Sequence, residues 1–358
     1  MLWIWFSPSM AAGWLSILLV PLSGLTRRAS RKRREAIRQL PAPHPPVVVV
    51  GNLVVGGSGK TPLVIGLAKS LAERGWHPGI VCSGYRGWRT DARLVNAGDD
   101  ATEHGDEAVL LAQAQAGTVA AGRNRAEALH ALLSAAPNTD VVLADDGLQH
   151  PHLPRTLEVA VLDSRGLGNR RLLPAGPLRE PSARLGEVDA VVVNGEAAQP
   201  DGARRHFHFT LNPTRFVPLV RTSLDTAPAA SRANTAQQAS GHREGTRAHA
   251  AMAATDFAAF ARHRSLTAIA GIGHPERFFS TLDALGLVFN RLMPGDHARM
   301  DPALIASIPT ELIVMTSKDA VKCTQVSDER CWVLEVSAEP DPAFIDWLIE
   351  TLRGPSPA

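Results

Sequence analysis

Lys60 and Thr61 are the residues whose types and position point most clearly to chemistry. They lie near the end of the stretch VVVVGNLVVGGSGKTP, residues 47–62, in which an apolar run leads into a glycine-rich turn. The turn contains Gly56, Gly57, Ser58 and Gly59. This pattern predicts a strand, a loop and a helix start whose backbone N–H groups bind phosphates. In such a loop the lysine contacts the β- and γ-phosphates of ATP, and the threonine hydroxyl holds Mg²⁺.

The loop departs from the strict phosphate-binding pattern G-x4-G-K-[ST] at one position. That pattern requires glycine at position 54, where this chain has Val54. The alternative is a plain glycine-rich turn without a ligand. The Lys-Thr pair stands at the predicted helix start, where phosphate chemistry requires it, and this favours the binding loop.

Two adjacent carboxylates, Asp145 and Asp146, follow another apolar run in VVLADDGLQH, residues 141–150. A nucleotide site needs a carboxylate at a strand end to hold Mg²⁺ directly or through water. The second carboxylate could orient or deprotonate a nucleophile. Together with the glycine loop, this pair predicts a nucleotide site, and which of the two contacts the metal stays open.

The elements that must position these residues alternate along the chain. Short apolar runs of the kind found in parallel strands covered on both faces occur at 47–50, 79–82, 118–121, 140–144, 157–162 and 188–193. Helical patterns lie between several of them, as at 61–74, where leucines recur at steps of four. A second α/β unit has strand candidates at 266–270 and 311–316 and a last helix near 341–353. The fold class is therefore α/β.

Composition narrows the function classes. The chain has 358 residues, 45% of them hydrophobic, which is enough for about two domains. Its three cysteines have no CxxC spacing, so neither a disulfide scaffold nor a zinc site is predicted. The net charge of +2 conceals six positive residues in RRASRKRR, residues 27–34. Because the rest of the chain is net negative, no nucleic-acid partner is predicted.

The segment before the basic cluster, residues 1–26, has no charged side chain and contains three tryptophans. A secretory signal would place its positive charges before the apolar stretch, not after it. Pro8 and Pro21 bracket twelve residues, about 18 Å of helix, which is shorter than a bilayer core of ~30 Å. Tryptophans followed by arginines predict an interfacial membrane anchor. The alternative is a helix packed on the protein's own core.

Motifs along nearly the whole chain carry a family resemblance. In order they are GNLVVGGSGKTP, SGYRG (83–87), HGDEAVLLA (104–112), GRNR (122–125), LADDGLQH (143–150), LLPAGPLREP (172–181), GIGHPERFF (271–279), PGDH (294–297) and TSKDAVK (316–322). The sequence resembles the tetraacyldisaccharide 4'-kinases, the membrane-associated lipid A 4'-kinases of Gram-negative bacteria. That family shares the departure at Val54. The SGYRG stretch differs slightly from the family's more usual Arg-Gly-Tyr-Gly, and residues 222–255 have no counterpart.

The resemblance implies a P-loop NTPase-type α/β/α sandwich joined by a two-stranded β-hinge to a smaller α/β/α domain. The corresponding boundaries are 1–34 for the anchor, 35–205 for the P-loop kinase domain, 206–220 for the hinge and 221–358 for the C-terminal domain. Residues 222–255 lack apolar periodicity, and we expect a flexible insertion there.

The implied activity is transfer of the γ-phosphoryl group of ATP, with Mg²⁺, to the 4'-hydroxyl of an acylated glucosamine disaccharide 1-phosphate, forming lipid IVA. The expected location is the cytoplasmic face of the bacterial inner membrane, peripheral or monotopic, among anionic lipids and with no obligate protein partner. One rival is a membrane-tethered P-loop ATPase switch without a lipid acceptor. A kinase for a soluble sugar is another, although a membrane anchor argues against it.

The resemblance also assigns roles to residues. Asp106 is the expected catalytic base, with His297 orienting it and Asp146 assisting. The alternatives are a helix cap for Asp106 and an ordinary loop position for His297. Nucleotide binding falls to Gly56, Gly57, Ser58, Gly59, Lys60 and Thr61, and metal binding to Thr61 and Asp145. The expected acceptor- or phosphate-binding residues follow strand ends or a Pro/Gly loop: Arg123, Gln149, His150, Arg179 and Glu180.

Overall fold

A computed structural model describes residues 5–6, 10–85, 87–195, 201–219, 250–295, 300–323, 326 and 328–354. The chain divides into two compact units. The first runs to Asn212 and resumes at Ser337, and the second extends from Pro213 to Val336. The strands 206–218 and 331–340 each have residues in both units.

The strands have the following bounds: β1 Val47–Gly51, β2 Pro78–Cys82, β3 Arg93–Val95, β4 Thr118–Ala121, β5 Val141–Asp145, β6 Leu157–Leu162, β7 Ala190–Asn194, β8 His206–Pro218, β9 Met252–Ala253, β10 Leu266–Ile269, β11 Asn290–Leu292, β12 Leu312–Thr316 and β13 Cys331–Pro340.

The helices have the following bounds: α1 Met10–Leu19, α2 Ser23–Arg38, α3 Lys60–Ala72, α4 Ala101–His104, α5 Asp106–Gln113, α6 Arg125–Ala135, α7 Ala254–Ala261, α8 Pro275–Ala284, α9 Pro302–Ser307, α10 Ser317–Ala320 and α11 Pro342–Arg353. Short 3₁₀ turns occur at Val20–Leu22 and Ser182–Gly186.

The sheet of the first unit has the strand order β8-β7-β6-β1-β5-β2-β4-β3. All neighbours are parallel except the edge pair β3 and β4. Strand β1 lies between β5 and β6 and is buried at every position, which suits its run of four valines. Because β1 and β5 pair with Val50 opposite Asp145, the glycine loop and the two carboxylates emerge at the same edge.

The second unit has the strand order β11-β10-β12-β13-β8, and β9 pairs with β8. One hydrophobic cluster includes Phe216, Phe257, Phe279 and Trp332. A second cluster contains Ile269, Ile313, Met315 and Val333. Along β10, β12 and β13 these residues alternate with Ala268, Val314 and Trp332, which belong to the first cluster. The sheet is thus covered on both faces, as expected for parallel strands.

Most predicted elements are confirmed within one or two residues. The six runs of the first unit are strands, helix α3 buries its leucine stripe, and both strand candidates of the second unit and the last helix are present. The domain boundaries remain predictions. The last helix was placed in a C-terminal domain spanning 221–358, but residues from Ser337 onward belong to the first unit. Of the expected insertion, 222–255, the structure describes only residues from 250 onward, where β9 and the start of α7 lie.

The N-terminal helices contact the protein through small polar side chains. Ser16, Ser23 and Ser30 recur every seventh residue and are buried. Ser16 and Ser23 donate hydrogen bonds to carbonyl oxygens of the segment 172–175. Large apolar residues point the other way, with Trp14 71% and Leu18 74% exposed. Helix α2 continues to Arg38, past the expected end of the anchor at residue 34. No helix among the described residues combines the length and apolar character needed to span a bilayer.

Candidate functional site

The glycine loop between β1 and α3 has a backbone that requires glycine. Gly59 precedes the first residue of α3 and has φ of 92°. A Cβ atom at this position would lie 2.4 Å from Nδ2 of Asn194. That Nδ2 donates a hydrogen bond of 3.1 Å to the carbonyl oxygen of Ser58. Gly56 has φ of 104°. The loop therefore approaches its neighbours too closely, and turns too sharply, for side chains at Gly59.

Two further side chains donate hydrogen bonds to carbonyl oxygens of the loop. Asn52 is buried and donates from Nδ2 to the carbonyl oxygen of Gly56 over 3.2 Å. Arg165 donates to the carbonyl oxygen of Gly57 over 3.1 Å and forms an ion pair with Asp163 at 2.7 Å. Sequence reasoning missed these residues. Asn52 could have been noticed because it directly follows Gly51, whereas Arg165 is 108 residues away from its partner and gives no local signal.

Val54, the departure from the strict pattern, has a structural reason. Its side chain is buried in the core of the first unit, and its backbone forms an antiparallel bridge with Leu178. The N–H of Arg179 donates to the carbonyl oxygen of Leu53 over 2.7 Å. This part of the loop is thus paired with the segment 172–180, and valine fills space that glycine would leave empty.

Thr61 and Asp145 meet at the carboxyl edge of the sheet. The Thr61 hydroxyl donates to Oδ2 of Asp145 over 2.8 Å. Asp145 is 2% exposed, and its Oδ1 has no hydrogen-bond partner among the described residues. Burial, reinforced by the negative charge of Glu107, raises the pKa of Asp145 to about 7, although Lys60 and Thr61 act in the opposite direction. Glu107 is another residue missed by the sequence analysis, although it stands in the quoted HGDE motif.

These two side chains fit Mg²⁺. Magnesium prefers oxygen ligands and usually takes one or two carboxylates together with phosphate oxygens and waters. The buried, unpartnered Oδ1 of Asp145 offers such a ligand beside the Thr61 hydroxyl. Within the described ranges, no group of three or more His, Cys, Asp or Glu residues could hold a metal.

Asp146 lies against positive charges. Its carboxylate is 3.6 Å from Nζ of Lys60 and 3.1 Å from Nη1 of Arg179. Burial opposes ionisation of this group, but the charges of Lys60, Arg179 and Arg125 outweigh it and hold the pKa of Asp146 well below its usual range. Asp146 has φ of 51°, so the chain turns sharply directly after β5.

Three of the predicted acceptor residues form one hydrogen-bonded group. Arg179 donates to Oε1 of Gln149 over 3.3 Å, and Nε2 of Gln149 donates to Glu180 over 2.8 Å. Glu180 is buried, and its other oxygen lies 3.3 Å from Nε of Arg184. The structure therefore brings Gln149, Arg179 and Glu180 together beside Asp146.

The two arginines of the GRNR motif differ in their surroundings. Arg125 is buried and donates to the carbonyl oxygens of Asp145 and Asp146 over 3.1 and 3.4 Å. The side chain of Arg123 is exposed, and only its backbone carbonyl approaches the cluster, 3.1 Å from Nε2 of His150. Burial lowers the pKa of His150 to about 4, so the imidazole is neutral near pH 7.

Asp106 is the first residue of α5 and is half-buried. The N-cap position belongs to Gly105, which has φ of 90°. A Cβ on Gly105 would lie 2.5 Å from the carbonyl oxygen of Tyr85, so the SGYRG and HGDE motifs touch. The expected partner of Asp106, His297, lies outside the described residues.

The parallel sheet, the glycine loop and the Lys60–Thr61 and Asp145–Asp146 pairs define an α/β protein with a glycine-rich loop at a helix start, the geometry in which proteins bind phosphates. The family model described as tetraacyldisaccharide-1-P 4'-kinase matches residues 15–353. The chain belongs to this family.

Curated relatives agree with this assignment, and a solved structure shares the fold. Tetraacyldisaccharide 4'-kinase of Chromobacterium violaceum is 43% identical, with 98% of this chain and 96% of the relative covered. The protein of the same name from Bordetella parapertussis is 40% identical, covering 96% and 95%. The crystal structure of LpxK from Aquifex aeolicus in complex with ATP covers 94% of this chain and 99% of its own, with a TM-score of 0.70 and 24% identity, and shares the fold.

Proposed function

We infer that this protein is an ATP-dependent kinase of lipid A biosynthesis. It transfers the γ-phosphoryl group to the 4'-hydroxyl of tetraacyldisaccharide 1-phosphate and forms lipid IVA. The observation that carries this inference is the Thr61–Asp145 pair beside Lys60, at the end of a glycine loop, in a chain of the 4'-kinase family. Family membership does not favour the rival ATPase switch without a lipid acceptor.

For the nucleotide, we propose that the backbone N–H groups from Gly56 to Gly59 bind the phosphates of ATP. Lys60 leaves its pairing with Asp146 to contact the β- and γ-phosphates. Thr61 and Asp145 hold Mg²⁺, which when bound neutralises charge on the transferring phosphoryl group. The short Thr61–Asp145 contact and the unpartnered Oδ1 support this arrangement.

For the acceptor, the two carboxylates Asp106 and Asp146 take different tasks. A general base works best when its pKa lies near the working pH, and the low pKa of Asp146 makes it a poor proton acceptor. Asp146 therefore orients Lys60 and Arg179. Asp106 accepts the proton of the 4'-hydroxyl, with His297 assisting. The acceptor contacts Arg123, Gln149, His150, Arg179 and Glu180.

For the location, we propose peripheral attachment to the cytoplasmic face of the inner membrane through residues 1–34. The exposed Trp14, Leu18 and Leu25 would enter the interface, while the arginines of α2 face anionic headgroups. We further propose that 35–205 forms the P-loop kinase domain and that 206–220, within β8, is part of a β-hinge to the domain that follows.

The decisive experiment is a transfer assay with labelled γ-phosphate. The purified full-length chain is offered the acylated disaccharide 1-phosphate, or a soluble glucosamine derivative, in detergent micelles with ATP and Mg²⁺. We expect label at the 4'-position of the lipid and none on the soluble sugar. ATP hydrolysis without labelled lipid would instead support the switch, and labelling of the soluble sugar would support a metabolite kinase.

A further inference from the structure

Arg184 is a buried cation beside the candidate site that the proposed function leaves without a role. It lies in the 3₁₀ turn Ser182–Gly186 and is 5% exposed. Its guanidinium forms an ion pair with Glu158 of strand β6, and its Nε lies 3.3 Å from Oε2 of Glu180. Glu187 adds a third carboxylate at 3.8 Å. Because charged side chains are rarely buried without opposite charges, these carboxylates explain how Arg184 can lie in the interior.

Glu180 connects this buried arginine to the site. Its side chain is 3% exposed, and a carboxylate buried so deeply requires a positive charge close by. Arg184 supplies such a charge on the side of Oε2. The ion pair also directs the other oxygen, Oε1, toward Gln149, whose Nε2 donates to it over 2.8 Å.

The surroundings of Gln149 determine which way its amide points. The Nε2 atom donates to Glu180 and also to the carbonyl oxygen of Asn52, over 3.0 Å, while Oε1 accepts from Arg179 over 3.3 Å. Rotating the amide by half a turn would set its oxygen against the Asn52 carbonyl and the Glu180 carboxylate. It would also set the NH₂ group against the guanidinium of Arg179. The negative charge of Glu180 therefore helps to fix which end of Gln149 meets Arg179.

Arg179 is held at one end of its guanidinium. Among the described residues, its side-chain hydrogen bonds to Asp146 and Gln149 all use Nη1. The side chain is 29% exposed. An arginine held in this way keeps its remaining N–H groups for a ligand, and the planar fork matches the oxygens of a phosphate or carboxylate. The direction of that fork depends on the groups that hold Nη1.

We propose that Arg184 is a positioning residue for phosphoryl transfer. Through Glu180 and Gln149 it fixes the direction in which Arg179 presents its guanidinium to the acceptor. Arg184 does not touch the acceptor and acts only through these side chains. The inference rests on the proposed function, in which Arg179 contacts the acceptor, and it deepens that function by naming a residue on which the contact depends.

The test compares Arg184→Gln with Arg330→Gln in the full-length chain. Arg330 is the matched control, because it also pairs with a carboxylate, that of Asp328 at 2.7 Å, but belongs to the second unit. Kinetics are measured in neutral detergent micelles with the acylated disaccharide 1-phosphate, ATP and Mg²⁺. Arg184→Gln should raise the KM for the acceptor roughly tenfold, with the KM for ATP unchanged. Arg330→Gln should leave both constants unchanged even where it lowers the thermal midpoint.

A double-mutant cycle separates positioning from a general loss of structure. If Arg184 acts through Arg179, Arg184→Gln should add little to the acceptor KM of a chain that already carries Arg179→Gln, because the group that it orients is absent. A merely structural role would raise the KM by the same factor in both backgrounds. Equal factors would therefore overturn the inference.

A second variant covers the case in which Arg184→Gln does not fold, since it leaves buried carboxylates short of a positive charge. Arg184→Gln combined with Glu158→Gln removes one charge of each sign. It should show the same rise in the KM for the acceptor. Loss of the folded state in both variants would show that Arg184 serves stability alone, and the inference would be overturned.

The inference also fails if Arg184→Gln folds and keeps the wild-type KM for the acceptor. That result is distinct from failure of the proposed function, because it is obtained with a wild-type chain that phosphorylates the acceptor. A wild type without transfer activity would defeat the proposed function and this inference together.

Discussion

Lys60 lies beside two adjacent carboxylates whose protonation behaviour differs. Asp145 is buried against Glu107, and its pKa is raised, whereas Asp146 is paired with Lys60 and Arg179, and its pKa is lowered. Asp145 therefore gains most from a cation, which would favour its charged form. Asp146 already has its counter-charges. The different environments support our proposal that Asp145 holds the metal and that Asp146 orients positive side chains.

Replacing Lys60 by alanine should lower kcat by roughly a hundredfold, because a positioned charge on the transferring phosphoryl group is lost. The measurement is steady-state phosphoryl transfer to the lipid acceptor. Lys69→Ala is the matched control, since Lys69 lies on the same helix and is exposed. Normal turnover in Lys60→Ala would show that the glycine loop does not bind the nucleotide.

His150 makes the folded protein sensitive to acid. Its pKa is about 4 when folded and near 6.5 when unfolded, so between these values the unfolded chain binds a proton that the folded chain does not. The resulting stability is present above about pH 6.5 and lost as the pH falls toward about 4. The denaturant midpoint should therefore fall less on acidification in His150→Gln than in the wild type. Equal falls would place the sensitivity in other groups.

At the residue scale, sequence reasoning placed correctly the residues whose position depends on their neighbours in the chain. Lys60 and Thr61 stand at a helix start, and Asp145 ends a strand. The neighbouring residues in the sequence therefore predict where each of them lies. Sequence reasoning could not show which arginine of the GRNR motif, Arg125 or Arg123, is buried. The two arginines are two residues apart in the same motif. Arg125 is buried because it donates hydrogen bonds to the carbonyl oxygens of Asp145 and Asp146, which are distant in sequence. Arg165 and Asn194 were missed for the same reason.

At the element scale, the turn into helix α3 depends on Gly59 far more than on Gly57. Gly59→Ala places a Cβ 2.4 Å from Asn194 in a left-handed backbone, which should cost at least about 1 kcal/mol and weaken ATP binding. Gly57→Ala is the control, because an added Cβ meets nothing within 4 Å. Denaturant midpoints and ATP affinity check both variants. Equal tolerance of the two would contradict the described geometry.

The exposed apolar side chains of the N-terminal helices can be replaced without altering the hydrogen bonds that the buried serines form. Converting Trp14, Leu18 and Leu25 to serine should weaken sedimentation with phospholipid vesicles while leaving the thermal midpoint unchanged, since all three side chains are at least 71% exposed. Ser16→Leu is the complementary variant, because it should lower the thermal midpoint by disrupting the contact with Ala175. Unchanged vesicle binding in the triple variant would reject the proposed anchor.

Strands covered on both faces were predictable because they appear as short apolar runs, such as β1 and β5. The edge strands β3 and β11 were not, since three residues with exposed positions carry little pattern. The apolar character of the N-terminal segment was predictable from its sequence. The role of its serines, which are spaced seven residues apart, was not, because two of them donate hydrogen bonds to carbonyl oxygens of the distant segment 172–175.

At the scale of the whole molecule, the chain leaves the first unit at Asn212 and returns at Ser337. No local signal marks this return, because helix α11 has the same amphipathic pattern whichever unit it packs against. Its Phe344 and Leu348 are fully buried, and Phe344 and Trp347 lie against Phe207 with ring centroids 5.2 and 5.5 Å away. The sequence therefore predicted the helix but not its unit.

This return has a consequence for biosynthesis. A Cβ on Gly66 of helix α3 would lie 2.7 Å from the carbonyl oxygen of Ala338, so that helix packs directly against the end of β13. Ribosomes deliver Gly66 long before Ala338. The nascent first unit must therefore wait, with this face of α3 uncovered, until strand β13 has emerged from the exit tunnel.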